Sequence, residues 1–311
     1  MKIIFMGTPD IAVPALEAII EAGHEVVLVV SQPDKPVGRS KELKPTPVKE
    51  CALSHGIEVY QPQRIRSEES VAYLKQFEVD AIVVEAFGQI VSQEILDMPK
   101  YCCVNIHTSL LPKYRGAAPI QPAILNGDMI TGVTTMRMDI GVDTGDIIMQ
   151  QEVIIREEET TGTLFDRLAK AGAKLVVKTL AALEDGTATF TKQDENVVSH
   201  TSKITKEMGS IDWSKSAVEI ERLIRGMNPW PSAYTKLDDK NLKVWKGKVL
   251  KETSNATPGT IVKVTKDSLA VQTGDGILAI LELQLEGKKR METESFLRGY
   301  TVKEGTVFRR G

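Results

Sequence analysis

The sequence predicts an α/β chain: an open, mostly parallel sheet with helices on both faces, followed by a smaller all-β barrel. Three observations predict it. Short β-branched runs alternate with helix-period segments from the first residue, with strand, helix and strand again inside about thirty positions. From residue 241 the pattern changes to short strands separated by turn signals. At 311 residues the chain exceeds one comfortable core, so two domains are expected: 1–188, a linker at 189–206, and 207–311.

Taken in order, "KIIFMG" is a short buried strand and "PDIAVPALEAIIEAG" a helix with apolar residues at helical spacing, closed by Gly23 as a C-cap. "HEVVLVVSQ" is a second strand. Thr46 can cap and Pro47 can open a helix through "PVKECALSHG". There follow a strand "IEVY", a polar helix "SEESVAYLKQF", strands in "VDAIVVEAFG" and "YCCVNIH", a helix near "APIQPAILNG", and strands in "GVTTMRM" and "GDIIMQQEVII". A long helix, "TLFDRLAKAGAKLVVKTLAALEDG", ends the first domain, and a polar connector leads to a short amphipathic helix, "SAVEIERLIRGM". Strands then run through "NLKVWKGKVL", "GTIVKVTKDSLAVQTGDGILAILELQLEG" and "GTVFRR".

Composition is that of an ordinary globular chain, 42% hydrophobic and 26% charged. The first apolar run meets Gly7-Thr8-Pro9 too early for a secretory or membrane segment, and no unbroken apolar stretch of ~18 residues follows. A cytoplasmic monomer is expected. Cys51, Cys102 and Cys103 are an odd set without metal-ligand spacing, which argues for buried thiols rather than a disulfide or a metal site. The net charge of -3 hides an asymmetry: 19 Lys and Arg face 14 Asp and Glu from Lys206 onward, against 20 and 28 before it. A basic tail on an acidic body suits one face turned to a polyanion, although a mixed solvated surface has the same composition.

Gly7-Thr8-Pro9-Asp10 follows the first strand where a dinucleotide loop would lie, but there is no G-x-G-x-x-G and Pro9 lacks an N–H, so a nicotinamide site is not expected. Asn105 and His107 sit two apart at the end of a strand, which points both heads to one face. Spacing alone leaves a structural role open. The loop "MRMDIGVDTGDII" changes that, because Asp143, between Gly141 and Gly145, leaves a strand of the same sheet and can orient the imidazole. Asp139 and Asp146 compete for that role, Asp146 with the look of a turn residue. No Ser, Cys or Lys has a nucleophile's setting, which favours direct transfer.

"NIHTSLLPKYRGAAPI" and "MDIGVDTGDII" resemble the folate-dependent formyltransferases, and "FMGTPDIAVPAL", "SQPDKPVGRSKELKPTPVK" and "IDWSKSAVEIERLIRGMNPWPSAYTK" extend the likeness over nearly the whole chain. The resemblance implies a Rossmann-like formyltransferase domain, a C-terminal barrel of the OB type, and 10-formyltetrahydrofolate as formyl donor, leaving as tetrahydrofolate. It implies Asn105, His107 and Asp143 as the catalytic group. Ser109, Leu110, Leu111 and Pro112 would line the folate site, and Ala86, Phe87, Gly88, Gln89 and Ile90 would contact the pterin. Phe87 stands where many relatives carry Tyr, and Glu85 where they carry a small residue.

For the acceptor, the extended likeness implies the amino group of an initiator methionyl-tRNA. The loop at 34–49 carries five basic and two acidic side chains and three prolines, which alone describes a solvated loop. By resemblance it enters the acceptor stem, with Arg39 as probe and Lys35, Lys41 and Lys44 on phosphates. Rival readings are a formyltransferase for an amino-sugar nucleotide or another small amine, a formyltetrahydrofolate hydrolase, and a non-catalytic RNA-binding protein.

Overall fold

A computed structural model of the chain describes residues 1–37 and 42–311. They divide into two compact units: Met1–Pro119, Ile130–Ile154 and Phe165–Thr201 form one, and Ile120–Met129, Ile155–Leu164 and Ser202–Gly311 the other.

The first unit begins with β1 (Lys2–Gly7), α1 (Val13–Glu21) and β2 (Glu25–Val30), then a small antiparallel ribbon of β3 (Lys35–Val37) and β4 (Glu42–Lys44). Next come α2 (Pro47–Ser54), β5 (Val59–Tyr60), α3 (Glu68–Leu74), β6 (Ala81–Glu85), α4 (Gln93–Leu96), β7 (Cys102–His107) and β8 (Arg115–Gly116). After α5 (Ile120–Leu125), which belongs to the second unit, follow β9 (Ile130–Arg137), β10 (Ile147–Ile154), the long α6 (Thr161–Asp185) and β11 (His200–Thr201). Seven strands form one sheet in the order β10-β9-β7-β6-β1-β2-β5. Pairing is parallel from β7 through β5, and antiparallel where β9 and β10 add to the edge.

Local chemistry explains the elements. Ile3, Ile4, Phe5 and Met6 of β1 are all fully buried, as a strand covered on both faces requires. Thr46 caps α2 by accepting from the Lys49 N–H, with Pro47 in the first turn, and Ser67 caps α3 in the same way. Cys102 and Cys103 are buried, and burial pushes the Cys102 thiol up to about 11, leaving it a small hydrophobe rather than a nucleophile. Because β6 and β7 run side by side in parallel, their carboxyl ends, Glu85 and His107, open at the same edge of the sheet, where ligands of such folds bind.

The second unit contains α7 (Ala217–Gly226), β12 (Ala233–Leu237), β13 (Lys240–Leu250), β14 (Ile261–Val264), β15 (Leu269–Gln272), β16 (Ile277–Leu285), β17 (Met291–Glu292), α8 (Thr293–Leu297) and β18 (Arg309–Arg310). Ser216 and Glu219 form a reciprocal capping box at the start of α7. The strands make a curled antiparallel sheet in the order β14-β15-β16-β13-β12-β18, with β17 on β16. The C-terminal stretch reaches both of its edges: β18 pairs with β12, while Thr306 and Phe308 exchange backbone hydrogen bonds with Ile261 and Gly259 beside β14. Trp213 stacks on Phe308 with ring centroids 5.5 Å apart and donates to Thr235 Oγ1 at 3.0 Å.

Three details differ from the sequence reading. Ala233–Leu237 is a strand that the sequence reading did not include; Ala233, Thr235 and Leu237 are its buried side. Trp230, a large aromatic of a kind more often buried than not, is 52% exposed. Much of the polar connector folds onto the first unit, where β11 pairs in parallel with β8. No helix among the described residues is long and apolar enough to cross a membrane.

Phe308→Ala should lower the stability of the second unit by about 3 to 5 kcal/mol, read as a fall in the urea midpoint. A loss below about 1 kcal/mol would mean that the C-terminal stretch is not part of that core.

Candidate active site

The parallel end of the sheet delivers Asn105 and His107 from β7, and the loop between β9 and β10 delivers Asp143. Asp143 collects three partners. Its Oδ1 accepts from Asn105 Nδ2 at 3.3 Å, and its Oδ2 accepts from the Gly116 N–H at 2.8 Å and lies 3.6 Å from His107 Nδ1. His107 is buried, and its Nε2 lies 2.9 Å from the carbonyl oxygen of Tyr114. A carbonyl only accepts, so Nε2 carries a proton in either charge state of the ring, and Nδ1 is the atom that can gain or lose one.

Backbone constraints aim the Asp143 loop. Asp143 has φ 55, a left-handed conformation that Asp tolerates better than most residues. Gly145 must be glycine, because a Cβ there would lie 1.7 Å from the Arg137 carbonyl. The competing carboxylates have structural tasks. Asp139 accepts from the Gly141 N–H at 3.0 Å and Thr144 Oγ1 at 2.6 Å, and Asp146 pairs with Arg137.

These three side chains stand on the wall of a cavity of about 450 Å³, lined by Ile11, residues 84–91, 105–108, 116–119, Met136 and residues 138–143. Apolar groups dominate, among them Ile90, Met138, Ile140 and Val142. Ala86, Phe87, Gly88, Gln89 and Ile90 all line it. Phe87 turns its ring into the core, and its carbonyl accepts from Thr8 Oγ1 at 3.0 Å and Gln32 Nε2 at 3.2 Å. Gln89 is engaged at both ends, by the Ile65 N–H and the Pro62 carbonyl. This turn therefore meets the cavity largely through backbone and through Ile90, which is 62% exposed.

Ser109, Leu110, Leu111 and Pro112 are not part of the lining. Thr134 Oγ1 donates to the Ser109 carbonyl at 2.7 Å and accepts from the Leu111 N–H, while Gln150 Nε2 donates to the Leu111 carbonyl. The segment, which directly follows β7, is stitched to β9 and β10. Lys35 and Lys44 are exposed and directly opposite in the β3–β4 register, whereas Arg39 and Lys41 lie outside the described residues. No group of His, Cys, Asp and Glu among the described residues could hold a metal. Lining residues that the sequence reading left out include Thr108, Met136 and residues 116–119; the "GAAP" run follows the Tyr114-Arg115 turn directly and was the available signal.

Glu85, at the end of β6, is 1% exposed, and neither carboxyl oxygen has a hydrogen-bond partner among the described residues. Burial pushes its carboxyl well above the usual range, favouring the neutral form. Gly172 of α6 packs nearby, where a Cβ would lie 3.0 Å from Ile106 Cγ2 and at an ordinary contact distance, 3.7 Å, from Glu85 Oε1.

Comparison with known proteins gives a consistent pattern. Residues 1–180 match the family model described as formyl transferase, and residues 203–301 the model described as formyl transferase, C-terminal domain. The chain is 61% identical over 308 residues to methionyl-tRNA formyltransferase of Agathobacter rectalis and 50% identical over 307 residues to that of Clostridioides difficile, covering 99% of both chains in each case. Among solved structures it is similar to an N-formyltransferase from Helicobacter canadensis in complex with folinic acid and dTDP-3-aminofucose, with a TM-score of 0.68 and 23% identity over 94% of this chain and 100% of that one. WlaRD, a sugar 3N-formyl transferase, superposes with a TM-score of 0.66 and 24% identity over 93% of this chain and 99% of that one. At these identities the two structures establish the shared fold.

Glu85→Gln should stabilise the protein, and the sign follows from linkage. A carboxyl whose folded-state pKa is raised carries no penalty below its unfolded pKa of about 4.3, and costs progressively more as the pH rises towards the folded value. The gain in Tm should therefore be near zero at acid pH and grow towards neutrality. A gain independent of pH would show that Glu85 is not buried as an acid.

Proposed function

The chain belongs to the formyl transferase family, and we propose that it transfers a formyl group from 10-formyltetrahydrofolate to the free α-amino group of initiator methionyl-tRNA in the cytoplasm. The product is formylmethionyl-tRNA for translation initiation. One observation carries the chemistry: the Asp143 carboxylate gathers Asn105, Gly116 and His107 on the wall of an apolar cavity. The acceptor follows from full-length likeness to methionyl-tRNA formyltransferases rather than from the cavity.

The amine attacks only when unprotonated, and with a reference pKa of roughly 7.7 to 8.0 a useful fraction is neutral near physiological pH. A bond forms from the amine nitrogen to the formyl carbon, and the carbonyl oxygen becomes an oxyanion. One Asn105 N–H is held by Asp143, so the second is available to the oxyanion. His107 takes a different part. With Nε2–H held on Tyr114, Nδ1 receives the proton that the amine sheds, and the imidazolium forms beside the Asp143 carboxylate. That proton passes to the folate nitrogen as the bond from it to the formyl carbon breaks. No covalent enzyme intermediate is involved.

The folate lies in the apolar cavity against residues 86–90, recognised mainly by backbone groups, because Phe87 and Gln89 are committed elsewhere. Ser109, Leu110, Leu111 and Pro112 act as a rear support that fixes His107. Lys35 and Lys44, opposed across the ribbon, repel each other unless an anion lies between them; with Lys41 they engage the tRNA phosphates, while Arg39 probes the acceptor stem. Catalysis is assigned to residues 1–188 and the remaining RNA contacts to 207–311. A single chain carries both sets of groups and works as a monomer.

The deciding assay is transfer of labelled formyl from 10-formyltetrahydrofolate to charged initiator tRNA, compared with charged elongator tRNA, an amino-sugar nucleotide and water. Initiator tRNA should be the preferred acceptor; faster transfer to the sugar amine or to water would overturn the reading. Asp143→Asn should lower kcat by at least ~100-fold with folate affinity little changed, and near-normal turnover would contradict the assigned roles. The KM for tRNA should rise steeply with salt, and a flat dependence would remove the lysines from RNA binding.

A further inference from the structure

The connector at residues 187–201 has no part in the chemistry described above, yet it carries a buried glutamine aimed at both loops that build the site. Gln193 is 9% exposed. Its Nε2 donates to the carbonyls of Asp143 and Gly145, at 2.8 Å each, and its Oε1 accepts from Arg115 Nε at 3.0 Å. Only this orientation of the amide is workable. The flipped one sets an oxygen against two carbonyl oxygens and an NH2 against a guanidinium.

The third partner matters because of where Arg115 stands. Arg115 is 3% exposed and lies between Tyr114, whose carbonyl accepts from His107 Nε2, and Gly116, whose N–H donates to Asp143 Oδ2. The connector holds this turn at other points as well. Ser199 accepts from the Arg115 N–H with its carbonyl, at 2.8 Å, and from the Tyr114 N–H with its hydroxyl, at 2.9 Å, and Glu195 receives both terminal nitrogens of Arg115. Gln193 bonds the turn and the Asp143 loop together through one side chain.

We propose that Gln193 is a positioning residue for formyl transfer, tying the Asp143 loop to the turn that holds His107 and so setting the separation of carboxylate and imidazole. The inference rests on the roles proposed for Asp143 and His107. Asp143 is in a left-handed conformation within a loop bounded by Gly141 and Gly145, so its own backbone preference does not keep it in place. Two donors on the carbonyls of residues 143 and 145 do. Removing them leaves two carbonyls to find new partners, and the loop relaxes around the carboxylate it carries. The cavity turn at residues 86–90 is held by Thr8, Gln32, Ile65 and Pro62 instead, so the wall assigned to the pterin keeps its place without Gln193.

The test is a double-mutant cycle in the full-length enzyme, with kcat, the KM for 10-formyltetrahydrofolate and the stoichiometry of folate binding measured for Gln193→Ala, Asp143→Asn and the double variant. Gln193→Ala should lower kcat by about 100-fold and change the folate KM by less than about threefold, with full folate stoichiometry. In the Asp143→Asn background the same substitution should have almost no further effect, because the carboxylate it positions is gone. Gln193→Glu keeps an oxygen for Arg115 but replaces the donors with an acceptor, and it should lose the same activity; it serves in place of Gln193→Ala if that variant does not fold. A kcat within about threefold of the parent for a folded Gln193 variant, a parallel rise in the folate KM, or a loss that multiplies in full with Asp143→Asn would each overturn the proposal. Unchanged turnover in Asp143→Asn alone would instead overturn the catalytic reading beneath it.

Discussion

A carboxylate that accepts from an amide and a backbone N–H and faces an imidazole is the constraint on which the site depends. Asp143 is not placed by its own strand. It is placed by what surrounds it: Gly145 passing close to the Arg137 carbonyl, Gly116 offering an N–H, and Gln193 gripping the loop from outside. In a mainly apolar pocket such fixed dipoles act strongly, because nothing has to reorganise when charge develops. The same arrangement explains the proton inventory of His107, whose Nε2 is committed to Tyr114 so that Nδ1 alone exchanges.

The cavity uses a different logic. A planar donor needs width and an apolar surface more than it needs many polar contacts. Here the turn at residues 86–90 commits its two bulkiest informative side chains elsewhere, Phe87 to the core and Gln89 to its neighbours, and leaves backbone as the wall. Glu85, next in sequence, is a buried acid without a hydrogen-bond partner among the described residues, a cost in stability that ordinary packing would avoid.

Part of this was legible in the chain and part was not. Alternation of strand and helix periods located the sheet, and the i, i+2 spacing placed Asn105 and His107 on one face. Pattern favoured Asp143 over Asp139 and Asp146 without excluding them, and the choice became a question of geometry once Asp139 was seen bonded to Thr144 and Asp146 to Arg137. The segment at residues 109–112 reads as apolar and stiff in either role. Whether it faces the cavity or buttresses it depends on Thr134 and Gln150, more than twenty residues away.

The sequence by itself determined the class of fold, the change to a β-rich second unit and the paired polar heads of Asn105 and His107, because periodicity and short-range spacing are local properties. Only the tertiary structure decided which nitrogen of His107 is free, which aspartate meets it, and that a glutamine from the connector fastens both loops. Those outcomes depend on hydrogen bonds between residues 7 to 80 positions apart, and no local pattern encodes which of the available donors and acceptors will meet.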